Sequence, residues 1–234
     1  MKKIAISAIT AVLGASGTAQ AALVLDSTQS FQGTGLGAVN TLLTLQSPGS
    51  SSFEQGSVAV GAGNAQVLSG DAKKGASQTQ LRTLGDLGVG AASDLRIVFN
   101  AAEPGNAAAN GITLSNLVLT IYGTDGSALF TSGAFSPVSF TDTMTGIGRS
   151  DAVFRLDATQ AAQAQSAVFA AGGFSAYRVG LAATLEDATG GPETFFVTRA
   201  STGNPPPVPE PSTYAMLLAG MAGIGGVVMR RRRR

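Results

Sequence analysis

The clearest pattern in the chain is strict alternation. Leu117, Leu119 and Ile121 take one side and Val118, Thr120 and Tyr122 the other, which predicts a half-buried strand over 112–122. Ile112 and Leu114 fall out of phase with that set, so a bulge is expected near Ser115 and Asn116. Gly123 to Ser127 then supplies turn chemistry for a hairpin into 128–131. Leu95, Ile97 and Phe99 alternate with Arg96 and Val98, and Ala152, Phe154 and Leu156 with Val153 and Arg155, giving two more strands.

Shorter strands are read at 23–25, at 40–46 before Pro48-Gly49, at 57–60 and at 66–68. Residues 70–78 read as a polar, exposed loop. Leu81, Leu84, Leu87 and Val89 are interrupted by Gly85 and Gly88, which argues against a helix. A strand over 135–141 belongs at a sheet edge because Pro137 cannot donate to a ladder. A helix is predicted over 157–171, with Asp157 as cap, Gln160 completing a capping box and Gly172-Gly173 stopping it. Residues 177–185 and 194–198 read as a closing hairpin. Many short strands, Gly-rich turns and one short helix predict a mainly β domain, an antiparallel β-sandwich of jelly-roll-like type.

Both ends of the 234-residue chain break this pattern. Met1-Lys2-Lys3, the apolar stretch 4–13 and the small-x-small site Ala19-Gln20-Ala21 read as a signal peptide cleaved after Ala21. At the other end a Pro-rich segment, 204–212, contains Val208-Pro209-Glu210-Pro211. It precedes an uncharged apolar run, 213–229, and then Arg230, Arg231, Arg232, Arg233 and Arg234. As a helix the run spans about 25 Å, just enough for a membrane. The arginine block is costly to translocate, so it stays cytoplasmic and the body, 22–203, lies on the other side. The chain thus carries an N-terminal signal helix and a C-terminal transmembrane helix.

That three-part order resembles the PEP-CTERM sorting signal of Gram-negative bacteria, the tag recognised by membrane transpeptidase-like enzymes called exosortases. Tails of this kind are also labelled ice-binding protein C-terminal domains. The resemblance implies that an exosortase recognises Pro209, Glu210 and Pro211 and removes the helix, and that the protein accompanies exopolysaccharide and biofilm production. The partners it implies are that enzyme, signal peptidase and the secretion machinery, the membrane before processing, and exopolysaccharide. The rival reading of the tail is a plain, uncleaved anchor that makes the protein a permanently membrane-held binding module, with calcium as an optional requirement for binding.

Charge sharpens the picture of the body. Of 15 basic residues, seven lie in the targeting ends, and of 14 acidic ones only Glu210 does, so the body carries about −5. Nucleic acid binding, which needs a basic face, is not expected. The chain has no Cys, His or Trp. A Ser-His-Asp triad, a Cys-His pair and the usual zinc sites are excluded, and a tryptophan platform for sugar stacking is missing. No enzyme activity is expected. Candidate Ca²⁺ ligands are Glu186, Asp187 and Glu193 around Gly190-Gly191, at a spacing that matches no standard calcium loop. Asp142 with Asp151, and Glu103 with Asn106 and Asn110, are similar sets. The favoured reading of each is a solvated loop. Lys73-Lys74 is a loop charge able to touch an anionic polysaccharide. Thr113, Thr120, Thr124, Thr131, Thr141, Thr143 and Thr145 show no fixed repeat, so a regular threonine array is not expected.

Overall fold

A computed structural model describes residues 23–27, 31–32, 40–48, 51–75, 78–101, 111–140, 149–150, 152–170, 172–188 and 191–200. The signal peptide and the whole tail from 201 onward lie outside them. Among the described residues no helix is long and apolar enough to cross a membrane; the span expected over 213–229 lies outside that set.

The described chain is mainly β and antiparallel. One sheet contains β1 (Leu23–Ser27), β3 (Thr41–Leu45), β7 (Leu95–Asn100), β12 (Ala152–Leu156) and β14 (Glu193–Arg199), in the order β1-β12-β7-β14-β3. The second contains β4 (Phe53–Val60), β5 (Gln66–Gly70), β8 (Ile112–Tyr122), β10 (Val138–Phe140) and β13 (Arg178–Glu186), in the order β10-β8-β13-β4-β5. To these, β6 (Arg82–Thr83) adds beside β13 and β9 (Ala128–Thr131) beside β8. A separate two-stranded ribbon pairs β2 (Phe31–Gln32) with β11 (Arg149–Ser150).

The inner faces of the two large sheets share one core. Ile97, Phe99, Phe154 and Phe195 enter it from the first sheet, and Leu117, Leu119, Ile121, Val179 and Leu181 from the second. Phe99 stacks on Phe195 at 4.9 Å between ring centroids and meets Phe140 at 5.5 Å. The bulge expected from the phase break in β8 is present: Thr184 faces Asn116 and Leu185 faces Leu114, leaving Ser115 as the extra residue. That insertion lets Ile112 and Leu114 join Leu117, Leu119 and Ile121 in the core. Strand β10 begins directly after Pro137 and, among the described residues, pairs with β8 alone, at the sheet edge.

The first sheet also buries part of its other face. Val98, Val153 and Phe196 form a small second cluster. Arg96 and Arg155, the alternating polar positions, meet on the carboxylate of Asp26 at 2.8 and 2.9 Å and so tie the edge strand β1 to β12 and β7.

Three expectations are corrected. Residues 178–186 and 193–199 are not a hairpin: β13 is central in the second sheet, and β14 lies between β7 and β3 in the first. The intervening segment is a crossover between layers, which a one-dimensional pattern cannot distinguish from a hairpin loop. Segment 70–78 is not a loose polar loop throughout. Ala72 bridges to Leu45, Lys73 N–H donates to the Thr44 carbonyl at 2.9 Å, and Thr79 is buried, so the described residues 71–75 and 78–80 strap the edges of β3 and β5. The helix is shorter than expected. Helix α1 spans Ala158–Ala164 and continues as one wide π-turn, Gln165–Phe169, which buries Val168 and Phe169.

Asp157 does cap α1, accepting from the Gln160 N–H at 2.8 Å, but the Gln160 side chain turns to Gln163 instead of closing the box. We expect Asp157→Ala to cost about 1 kcal/mol, and Asp157→Asn much less. Thermal melts of both variants check this; equal losses would remove the cap as the cause.

Strand directions sort the connections into two ends. Leu23 faces Leu156 and Arg199 faces Leu95, so the start of β1 and the finish of β14 lie at one end of the first sheet, with α1 and the short 3₁₀ turn 92–94. The strand ends Leu45/Phe53, Asn100/Ile112, Phe140/Ala152 and Glu186/Glu193 lie at the other.

Candidate functional site

The acidic candidates fall at that second end. Glu186 and Asp187 are exposed, whereas Glu193 is fully buried on the inner face of β14. The structure therefore splits the expected Ca²⁺ set: two of its carboxylates face solvent and the third faces the interior. Among the described residues no group of three or more acidic side chains is arranged to hold a metal. The reason is register. Glu186 and Glu193 end strands of different sheets, so the loop joining them spans the two layers. Glu103, Asn106, Asn110, Asp142 and Asp151 lie outside the described residues, although the strand ends flanking them are at this same end.

A residue that sequence reasoning passed over is more unusual. Glu54, at the start of β4, is fully buried. Its Oε1 accepts from the Ser47 N–H at 2.8 Å and from the Ser47 hydroxyl at 3.0 Å, while Oε2 has no hydrogen-bond partner. The signal was present: Glu54, Gly56 and Val58 alternate with Phe53, Gln55 and Ser57, which places the charge on the apolar side of the strand.

A groove of about 730 Å³ runs beside β5, lined by Gln66, Val67, Leu68, Lys74, Gly75 and Leu81, with Thr79 and Gln80. Much of its polarity is already committed. The Gln66 amide accepts from Leu81 N–H at 2.8 Å and donates to the Thr79 carbonyl at 3.3 Å, and the Thr79 hydroxyl accepts from Thr44 N–H. Lys74 supplies an exposed cation at its rim, while Lys73 turns away to the Gln46 side chain. An anionic chain lying in the groove would meet one positive charge and the apolar Val67 and Leu81.

Two carboxyls are held below the ordinary carboxylate range. Hydrogen bonds from Thr83 lower Asp86, and the Ser127 hydroxyl and N–H lower Asp125. Both are exposed turn residues, and the shift favours the charged form that closes the turn. Neither has the raised value a general acid needs near neutral pH.

The sorting residues Val208, Pro209, Glu210 and Pro211, the arginines 230–234, and the cleavage-site residues Ala19 and Ala21 lie outside the described residues. The comparison with known families covers the stretch that contains the first two sets. Residues 207–234 match the model of the PEP-CTERM protein-sorting motif. The match covers the tail and leaves the body without a family. No curated protein and no solved structure matches the chain. The tail motif is an exosortase-directed sorting signal, and it marks the chain for export and sorting to the cell surface.

Proposed function

We propose that this is a non-enzymatic, exported protein whose tail is cut by an exosortase and whose body serves at the cell surface or in an exopolysaccharide matrix. In this reading residues 1–21 are removed by signal peptidase and 22–203 form the extracytoplasmic body. Residues 204–212 present the Pro-Glu-Pro motif, 213–229 hold the chain in the inner membrane until cleavage, and 230–234 stay cytoplasmic. The observation that carries it is the match over 207–234.

The fold supports the same reading. We infer a jelly-roll sandwich from the strand order: β3-β14-β7-β12 in one sheet and β4-β13-β8-β10 in the other follow the order of two interleaved Greek keys. Leu23 and Arg199 lie at the same end, so a body held by its C-terminal tail would present the opposite end outward. Eight residues separate Ala200 from Pro209, and if fully extended at about 3.1 Å each they would reach roughly 25 Å. That length would keep the sandwich clear of an enzyme working at the membrane surface. For the body itself, we infer that an anionic polysaccharide would lie in the groove beside β5 and meet Lys74 at its rim.

Intact mass of the protein recovered from cells and from their medium tests the proposal. The expected species starts at Ala22 and ends within or just after Pro209-Glu210-Pro211. A chain that still ends at Arg234 and stays with membranes would overturn the cleavage and leave an uncleaved anchor.

A further inference from the structure

We propose that Glu54 and Glu193 hold one Ca²⁺ between the two sheets, at the end of the body opposite its termini. Both carboxylates are fully buried. They come from different layers, Glu54 from β4 beside Leu185 and Glu193 from β14 beside Leu45. The chain joins them. Two residues past Leu45, Ser47 donates to Glu54 Oε1 from both its N–H and its hydroxyl. Glu193 pairs with Leu45, two residues before Ser47, so both glutamates lie against the short segment 45–47.

The state of Glu54 points to a cation in particular. Oε1 accepts two donors, as a carboxylate does, while Oε2 is buried with no donor near it. A cation against Oε2 relieves it directly. Two carboxylates balance a divalent charge, and Ca²⁺ takes six to eight oxygens, the remainder being main-chain carbonyls and water. The ligand set offers oxygen and no nitrogen or sulfur, which disfavours zinc and copper. Neither Glu186 nor Asp187 is needed; both face solvent. The ion would tie β3 and β14 of one sheet to β4 of the other, in a domain with no cysteine.

The test uses the full chain purified from membranes in a mild detergent, melted in EGTA and in CaCl₂. At Ca²⁺ a hundredfold above Kd the midpoint should rise by about 5–10 °C, and calorimetric titration should give one Ca²⁺ per chain. Glu54→Gln should lose the rise, Glu186→Gln should keep it, and MgCl₂ should give less than half of it. The proposal fails if calorimetry of the unmodified chain detects no Ca²⁺ binding, a result that does not depend on any variant folding. It also fails if the rise survives in Glu54→Gln or is lost in Glu186→Gln instead. None of these outcomes bears on the tail.

Discussion

Replacing Phe99 by alanine is expected to lower the stability of the body by about 3–5 kcal/mol, the largest loss of any single core truncation considered. Strand β7 is the middle strand of its sheet, between β12 and β14, and Phe99 faces inward with no exposed surface. Its ring stacks on Phe195 of the neighbouring strand and meets Phe140 from the edge of the opposite sheet. Truncation therefore opens a cavity bordered by both layers. It removes two aromatic contacts, each worth about 0.5–1.5 kcal/mol beyond area. Neither sheet can close the gap without breaking its ladder. In a domain of this size the melting midpoint should fall by about 6–20 °C. Val67→Ala, in an exposed position of edge strand β5, should move it by no more than about 2 °C. Thermal melts of the two variants side by side decide the matter; similar shifts would mean that the layers do not meet at Phe99.

The second large effect is expected in the tail. Changing Pro209, Glu210 and Pro211 together to alanine should reduce the processed species at least tenfold. The chain should then accumulate uncut in the membrane fraction. Glu210 is the only charged residue between Arg199 and Arg230, so the motif is a single anionic site held between two residues of fixed φ. An enzyme reading an extended backbone would lose the charge and the preset conformation together. Alanine at Pro205 and Pro206 should leave processing intact, since those residues lie before the matched segment. Mass spectrometry of membrane and medium fractions provides the readout. Undiminished cleavage in the triple variant would show that the enzyme reads some other feature of the tail.

The two predictions draw on different levels of the molecule. The tail was legible from residues alone, because its meaning lies in an order along the chain: proline-fixed spacer, apolar span, arginine block. Most strands were legible for a related reason. Alternation at period two is a local property, and in β8 even the bulge at Ser115 could be read from the break in phase. Gly85 and Gly88 ruled out a helix correctly for the same local reason, and 84–88 is a turn.

What sequence reading missed was relational. Pattern and spacing placed β13 and β14 next to each other, yet they belong to different sheets, because a short connection serves a hairpin and a layer crossover equally well. Val98 alternates as an outward residue and is nonetheless buried against Val153 and Phe196, since whether an outer face is covered depends on distant segments. The acidic loop of Glu186, Asp187 and Glu193 looked like one cluster, and the crossover separates it into two exposed side chains and a buried one.

Sequence by itself determined the address of this protein, the strand-rich character of its body and the chemistries it lacks, because each rests on residue type and short-range order. Only the tertiary structure decided which strands share a sheet, which end of the body faces away from the termini, and that Glu54 and Glu193 lie buried at that end. Those are outcomes of long-range pairing, where burial is set by residues more than a hundred positions away.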